Sequence, residues 1–202
     1  MVWPFIPRDE TPILRGPRVL LRGPKPGDYP AWRNLRRDSR EFLKPFEPRW
    51  SELDLTRRVF MARLRRGRSE AVLGTDYNFL VFLTEGGKEK IVGGLTLSNI
   101  RRRAAQHVNL GYWMGRDFAG RGLMTEAVGV VLPFAFNTLG LHRIHAAFLP
   151  DNAASRRVLE KNGFHEEGYA ENYLQIDGRW ADHVLFGLTR ERHDQATRRP
   201  PR

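Results

Sequence analysis

The stretch GYWMGRDFAGRGLMTEA, residues 111–127, decides how the chain is interpreted. Alternating apolar residues lead into a turn with two glycines, Gly120 and Gly122, and helical apolar spacing follows from Leu123. Glycines leave the backbone uncovered where a helix start presents unpaired N–H groups and the positive end of its dipole. The stretch therefore predicts a strand, a turn and a helix start that can bind a diphosphate. An ordinary tight turn is the alternative.

Length and composition limit the class of protein. With 202 residues, 41% of them hydrophobic, the chain can bury a core within one domain. We expect that domain at residues 1–190 and a basic, flexible tail at residues 191–202. Because cysteine is absent, disulfides and thiolate sites are excluded. No signal peptide is apparent in MVWPFIPRDE and no run approaches the roughly 18 apolar residues of a membrane span, so we expect a cytoplasmic protein.

Positive charge is in excess and clustered. The net charge is +11, and the arginine clusters lie at residues 63–68, 101–103 and 198–202. Such charge favours acidic partners, for example a polyphosphate cofactor, RNA or a particle that contains RNA. A solvated surface that keeps the protein soluble is the alternative.

The apolar patterns predict an alternation of strands and helices. Strands are predicted at residues 18–22, 78–84, 91–97, 107–114, 143–149, 164–176 and 180–188, and helices after Asp28, up to Gly67, after Gly122 and at residues 152–162. Pro133 is expected to kink or shorten the third helix, and Ser51 with Asp54 resembles a capping pair. This order implies a mixed sheet with helices on both faces.

Residues 41–50, EFLKPFEPRW, contain two prolines and are predicted to form a loop rather than a helix. The loop carries three large aromatic side chains, Phe42, Phe46 and Trp50. We expect these to fold over the core or to line a pocket.

The Gly-x-Gly turn, the segment NAASRRVLEKNGF at residues 152–164 and the element order together resemble the GNAT superfamily of acetyl-coenzyme A dependent N-acetyltransferases. Residues 111–127, 142–164 and 167–188, with REFLKPFEP at residues 40–48, resemble its RimJ/RimL group, which acetylates the N-terminal amino group of ribosomal proteins. The resemblance implies an α/β (α+β) GNAT fold, a mostly antiparallel sheet of about seven strands with helices on both faces and a splayed strand pair.

The resemblance also implies acetyl-coenzyme A (acetyl-CoA) as cosubstrate, without a metal. Strand backbone would pair with the pantetheine arm, turn amides would hold the pyrophosphate, and the next helix start would reach the pantetheine and the sulfur. The implied residues are Tyr112, Trp113, Met114, Phe118, Ala119, Gly120, Arg121, Gly122, Leu123, Asn152 and Ser155, with Arg116 adding charge. Ser155 would stabilise or protonate the coenzyme A thiolate. An ordinary Asn152 helix cap with a serine in the first turn is the alternative.

Three positions depart from the family pattern. Asp117 replaces a Gln or Arg of the phosphate loop, Leu159 replaces a tyrosine that serves many relatives as acid, and Asn109 replaces a glutamate base. The candidates for the base or for ordering water are therefore Glu41, Glu47 and Glu126. Glu126 can equally be a first-turn residue favoured by the helix dipole.

The nature of the acceptor affects how strong a base is required. An α-amino group with a pKa of about 7.7 to 8.0 is roughly 10 to 20% neutral at pH 7, whereas a lysine near 10.4 is about 0.04% neutral. An N-terminal amine can therefore react through an ordered water. His142 and His145 lack the companions of a metal site.

The resemblance implies acetyl transfer to a protein N-terminus, with the N-terminal alanine of a ribosomal protein as favoured acceptor. Acetylation of a small amine, such as an antibiotic or polyamine, is one alternative. A ribosome- or RNA-binding protein whose catalytic groups have decayed is another. No membrane contact is expected, contact with RNA through the basic surface is a further expectation, and monomer and homodimer remain open.

Overall fold

The computed structural model describes residues 11–198; residues 1–10, which are expected not to be a signal peptide, and residues 199–202 of the expected basic tail lie outside the described part. Within it an eight-stranded sheet has the order β1-β2-β3-β4-β5-β6-β8-β7. The strands are β1 (Leu14–Arg15), β2 (Val19–Arg22), β3 (Tyr77–Glu85), β4 (Lys88–Arg101), β5 (His107–Met114), β6 (Arg143–Phe148), β7 (His165–Ile176) and β8 (Arg179–Thr189).

Neighbouring strands are antiparallel except for β5 and β6, which run parallel. The predicted mixed, mostly antiparallel sheet is confirmed. The additional strand, β1, has only two residues, too few to leave an alternating apolar pattern in the sequence.

Six α-helices accompany the sheet in the described residues: α1 (Tyr29–Asp38), α2 (Arg40–Leu43), α3 (Arg57–Leu73), α4 (Leu123–Pro133), α5 (Ala153–Lys161) and α6 (Arg190–Arg198). Strand alternation divides the core into two clusters. Leu20 packs in a cluster with α1 and α3, whereas Val19 and Leu21 pack in the larger cluster with α4 and α5. Helices on both faces of the sheet, as predicted, thus bury its two apolar surfaces.

Helix α3 differs from its prediction at both ends. Thr56 caps its N-terminus through a bond from the Val59 N–H, while Ser51 and Asp54 form a separate turn before it. The helix passes through Gly67 and ends at Gly74, whose φ of +68° suits glycine. A Cβ on Gly67 would lie 3.1 Å from the side-chain amide nitrogen of Asn78, so a larger residue there would have to displace that side chain.

Other local predictions are corrected or confirmed. Residues 41–50 are not simply a loop, since they include the last residues of α2 and a 3₁₀ turn at Lys44–Phe46. Asp28 precedes α1, but its carboxylate accepts bonds from the Arg22 guanidinium and the Lys25 N–H. Helix α4 ends at Pro133, as predicted, and a π-helical turn follows at Phe134–Thr138.

The end of the chain is helical as far as it is described. Helix α6 covers the first part of the segment expected to be flexible. In residues 11–198 no helix is long and apolar enough to cross a membrane.

Candidate active site

The parallel strands β5 and β6 separate soon after they meet. They pair only at His107, Val108 and Asn109, whereas β5 pairs with β4 as far as Met114. Residues 110–114 therefore present backbone N–H and C=O groups to a gap in the described sheet. Because such groups require partners, this edge can pair with an extended ligand.

A cavity of about 300 Å³ fills one side of this gap. Its walls are the end of β5, the glycine turn, the first residues of α4 and one face of α5. The lining includes Tyr112, Trp113, Met114, Phe118, Ala119, Gly120, Gly122, Leu123, Asn152 and Ser155. We call it the donor cavity. It contacts every residue predicted to bind the cofactor except Arg121.

The glycine turn leaves the start of α4 open. Gly120 and Gly122 have φ angles of +76° and +77°, which glycine adopts without strain. No heavy atom lies within 4 Å of a Cβ placed on Gly120, and α4 has no side-chain cap. The predicted strand, turn and helix start are confirmed, and the helix presents its first N–H groups to the donor cavity.

The positively charged residues that line the donor cavity are not the predicted ones. Arg157 and Lys161, four residues apart on α5, line the cavity, although neither was singled out in the sequence. The Arg121 guanidinium instead lies 3.7 Å from Glu85, and Arg116 pairs with the exposed Asp117 at 3.3 Å. The helical spacing of Arg157 and Lys161 was a visible signal, but only the fold shows which way that face points.

Three connected side chains line the donor cavity: Asn152, Ser155 and Tyr112. The Asn152 side chain accepts the Ser155 N–H at 3.0 Å and so caps α5. The Tyr112 hydroxyl lies 2.6 Å from Ser155 Oγ. Burial raises the pKa of Tyr112 to about 12, so its hydroxyl remains a donor at neutral pH. The sequence placed Tyr112 in the site for its backbone and missed this hydroxyl.

A second cavity, of about 400 Å³, opens on the other side of Tyr112 and Ser155. We call it the acceptor cavity. Most of its lining is apolar, from β5, β6 and β7; Phe46 and Pro48 form another wall, and His183 of β8 contributes an imidazole. Four residues line both cavities, so the two spaces adjoin there: Phe46, Tyr112, Asn152 and Ser155.

The three candidate acids have different surroundings. Glu126 lies outside both cavities, and its carboxylate accepts the Arg18 and Val19 N–H groups and the Arg18 Nε, which ties α4 to β2. Glu41 is exposed on α2 and also lies outside them. Glu47 lines the donor cavity. The fold does not bring the three acids together.

Glu47 is held by a partly buried ion pair. Arg36 donates two bonds to its carboxylate, at 2.8 and 2.6 Å, and the Trp50 indole donates a third at 2.8 Å. The guanidinium lies 4.2 Å from the Trp50 ring centroid and 4.6 Å from that of Trp113. Glu47 thereby anchors residues 41–50 next to β5, and both of its oxygens are occupied.

The same segment contacts the last hairpin. The Asp177 N–H donates to the Glu47 carbonyl at 2.9 Å, and the Arg49 guanidinium lies over Gly178 at the hairpin tip. Of the predicted pocket aromatics, Phe42 lines the donor cavity, Phe46 lines both cavities, and Trp50 stacks on Arg36. The last hairpin, β7 with β8, also carries aromatic side chains. Trp180 is 63% exposed and Tyr173 packs against His183.

A parallel strand pair that opens beside a glycine-lined helix start is the arrangement that the resemblance to GNAT enzymes implies, and comparisons with known proteins agree. The family model for the acetyltransferase (GNAT) domain matches residues 18–165. The chain belongs to the GNAT acetyltransferase family.

Named relatives are similar over most of the chain. The [ribosomal protein uS5]-alanine N-acetyltransferase of Escherichia coli (strain K12) is 37% identical over 80% of this chain and 84% of that protein. The structure of Mycobacterium smegmatis RimJ in complex with CoA-disulfide aligns with a TM-score of 0.82 at 33% identity, covering 91% of this chain and 88% of that chain. A ribosomal-protein-S5-alanine acetyltransferase structure from Vibrio fischeri gives 0.81 at 31% identity, over 88% and 96%.

Metal ligands do not cluster in the described part of the chain. Residues 11–198 contain no group of three or more His, Asp or Glu placed to hold an ion. His142 instead contacts Glu191, and His145 packs against His107 with ring centroids 4.9 Å apart.

Proposed function

We propose that this protein transfers the acetyl group of acetyl-CoA to the N-terminal α-amino group of a protein, with the N-terminal alanine of a ribosomal protein as favoured acceptor. The observation that carries the proposal is the meeting of the two cavities at Ser155, one beside an open helix start and the other mostly apolar. The similarity to enzymes named for the alanine of ribosomal protein uS5 supports this acceptor.

The residues of the donor cavity suit coenzyme A. The open start of α4, with Gly120 and Gly122, would hold the pyrophosphate, and Arg157 and Lys161 would add positive charge. The unpaired edge of residues 110–114 would bond to the amide groups of the pantetheine arm. Acetyl-CoA supplies a thioester whose carbonyl carbon accepts the amine.

Tyr112 and Ser155 would assist departure of the thiolate. The Tyr112 O–H has two acceptors on Ser155, Oγ at 2.6 Å and the carbonyl oxygen at 3.3 Å; when it donates to Oγ, the serine proton is free to point into the cavity. Because the pKa of Tyr112, about 12, lies far above the value of about 8.5 for a thiol, Tyr112 would keep its own proton, while the Ser155 hydroxyl would hydrogen-bond to the leaving sulfur and relay a proton to it. Leu159, which replaces the tyrosine that serves many relatives as acid, is fully buried and takes no part in the departure of the thiolate.

The acceptor cavity favours a peptide over the small-amine alternative. No carboxylate is among the residues that line it in the described chain. An aminoglycoside or polyamine carries several positive charges that need such partners, whereas a peptide that begins with alanine brings one amine and an apolar side chain.

Contact with the ribosome would use the arginine face of α3. Arg57, Arg58, Arg63, Arg65, Arg66 and Arg68 are exposed along this helix. A row of guanidinium groups attracts RNA phosphates and would raise the rate of encounter with a ribosomal particle in the cytoplasm. We propose this surface as the RNA contact; the proposal is compatible with a monomer or a homodimer.

The decisive experiment measures thiol release with short peptides that begin with Ala, Ser or Met, compared with aminoglycosides and polyamines. We expect kcat/KM to be highest for the alanine peptide. A peptide with an acetylated N-terminus is the control and should be inert. Faster turnover of a polyamine or antibiotic would overturn the proposal in favour of a small-amine acceptor.

A further inference from the structure

His183 is a buried polar residue at the acceptor cavity. It is only 3% exposed, yet it is one of the residues that line this space. Its Nδ1 lies 2.9 Å from the carbonyl oxygen of Ala181. A carbonyl only accepts hydrogen bonds, so Nδ1 carries the proton. In the neutral imidazole the second nitrogen, Nε2, then keeps an unshared electron pair.

The position of His183 follows from the sheet. It lies on β8 opposite Ala170 of β7, one residue before β8 begins to pair with β6 at Val184 and Phe148. The imidazole is therefore located beside the end of β6, where β5 and β6 no longer pair. The T-shaped contact with Tyr173, at a centroid distance of 5.8 Å, restricts the rotation of the ring.

The charged groups near His183 do not occupy its Nε2 atom. The adjacent Asp182 carboxylate accepts bonds from the Tyr169 hydroxyl at 2.6 Å and the Asn172 N–H at 2.8 Å. Gln175, Asn152, Ser155 and Tyr112 are the other polar side chains in the described lining of the acceptor cavity, and none of them is a base at neutral pH.

We propose that the acceptor cavity binds the first residue of the acceptor peptide and that His183 Nε2 is the general base that takes a proton from its ammonium group. This inference rests on the proposed function and adds to it a base that none of the three glutamates provides.

The protons balance in this scheme. Of the three hydrogens on the ammonium nitrogen, one moves to His183 Nε2, and the freed electron pair forms the C–N bond to the thioester carbon. As the C–S bond breaks, a second hydrogen passes through the Ser155 hydroxyl to the sulfur. The third stays on the amide, and the imidazolium releases its proton to water after the product leaves.

The test compares His183→Gln with the wild type at two pH values. At pH 7 we expect kcat/KM for the alanine peptide to fall about 100-fold, the usual contribution of a general base. Without the base the variant must use amine that is already neutral, a fraction that rises from roughly 10 to 20% at pH 7 to over 90% at pH 9. The loss should therefore shrink about fivefold or more by pH 9.

A purely structural role would give the same loss at both pH values. That outcome, or an activity of His183→Gln within about threefold of the wild type at pH 7, would overturn the inference. His145→Gln is the control, because His145 is a partly buried histidine on β6 that lies outside both cavities. Failure of the wild type to acetylate peptides would instead refute the proposed function.

A second measurement does not depend on turnover. The alanine peptide is added to wild-type protein with coenzyme A, and the ring C–H signals of the 6 histidines are followed by NMR. The His183 signal is assigned by its contact with the Tyr173 ring, so the assignment does not require a folded variant. It should shift more than the other signals, and an unchanged signal at saturating peptide would count against the cavity as the acceptor site.

Discussion

The bond between Tyr112 and Ser155 gives the clearest single-residue prediction. Tyr112→Phe keeps the ring and removes only the hydroxyl that lies 2.6 Å from Ser155 Oγ. We expect kcat to fall about tenfold and Ser155→Ala to cause a larger fall, because in the proposed function the serine would contact the sulfur directly. The double variant should resemble Ser155→Ala alone, since the tyrosine acts through the serine.

Cofactor affinity is the control for this pair. Titration with acetyl-CoA should give nearly the same dissociation constant for both variants as for the wild type, because the helix start and strand edge are intact. A Ser155→Ala protein with normal turnover would contradict the assigned role of the serine.

The raised pKa of Tyr112 also predicts a dependence of stability on pH. Burial raises this pKa to about 12, whereas an unfolded tyrosine titrates near 10. The folded state disfavours the phenolate, so the stabilisation is complete below pH 10 and is lost as pH rises towards 12. The shift corresponds to about 2 to 3 kcal/mol.

The measurement is denaturant unfolding of the wild type and Tyr112→Phe between pH 9 and 12. The free energy of unfolding should fall more steeply with pH in the wild type, because only that protein can ionise this tyrosine. Parallel curves for the two proteins would show that the hydroxyl is not buried in solution.

At the level of elements, the glycine turn before α4 can be tested against a glycine with the same backbone strain. Gly120 and Gly74 have φ angles of +76° and +68°, and a Cβ placed on either would have no heavy atom within 4 Å. Each change to Ala should cost about 1 kcal/mol of stability. Only Gly120→Ala should raise the KM for acetyl-CoA, because its methyl group would lie over the helix start.

Thermal unfolding and cofactor titration of the two variants provide the measurements. Equal losses of stability with a change in affinity confined to Gly120→Ala would support the phosphate site. Equal affinities would place the pyrophosphate elsewhere.

The segment of residues 41–50 depends on the ion pair between Arg36 and Glu47. Glu47→Gln leaves the partly buried guanidinium without a charged partner and should cost about 2 kcal/mol of stability. It should lower kcat/KM by displacing the wall that contains Phe46, while the shape of the pH–rate profile stays unchanged. If Glu47 were the base, the acidic limb of the profile would disappear.

Glu41→Gln is the matched control, since Glu41 is exposed on neighbouring α2. We expect wild-type stability and kinetics for this variant. The sequence could not show which of these acids is free to act as a base. Only the fold reveals that Glu47 is already bonded to Arg36 and Trp50 and that Glu126 accepts hydrogen bonds from the backbone at the start of β2.

At the scale of the whole molecule, the arginines of α3 predict different behaviour towards peptides and ribosomal particles. Arg65→Gln with Arg68→Gln should lower kcat/KM on ribosomal subunits about threefold to tenfold and reduce its salt dependence. Activity on an alanine peptide should stay within twofold, because both residues lie outside the donor and acceptor cavities.

The matched control removes two charges from another cluster, with Arg101→Gln and Arg103→Gln. A smaller effect of this pair would assign the contact to α3. Equal effects would mean that net charge, rather than this helix, governs the encounter with RNA.

The sequence by itself determined the order of seven of the eight strands and of α1, α3, α4 and α5, and the glycine-marked start of α4, because apolar periodicity, proline and glycine act over a few neighbouring residues. It missed the two-residue β1 and stopped α3 at Gly67, because a short pairing and a close contact with Asn78 are set by distant residues. The resemblance to GNAT enzymes supplied the family, which the comparisons confirm.

Only the tertiary structure decided which side chains share a cavity. It placed the Tyr112 hydroxyl against Ser155, turned Arg157 and Lys161 towards the donor cavity, and buried His183 beside the acceptor cavity. These pairs come from strands and helices far apart in the chain, so no local pattern encodes their distances. The glycine turn and helix start of the donor cavity are set by neighbouring residues, so the sequence predicts them, whereas the acceptor cavity forms only where β5 and β6 separate.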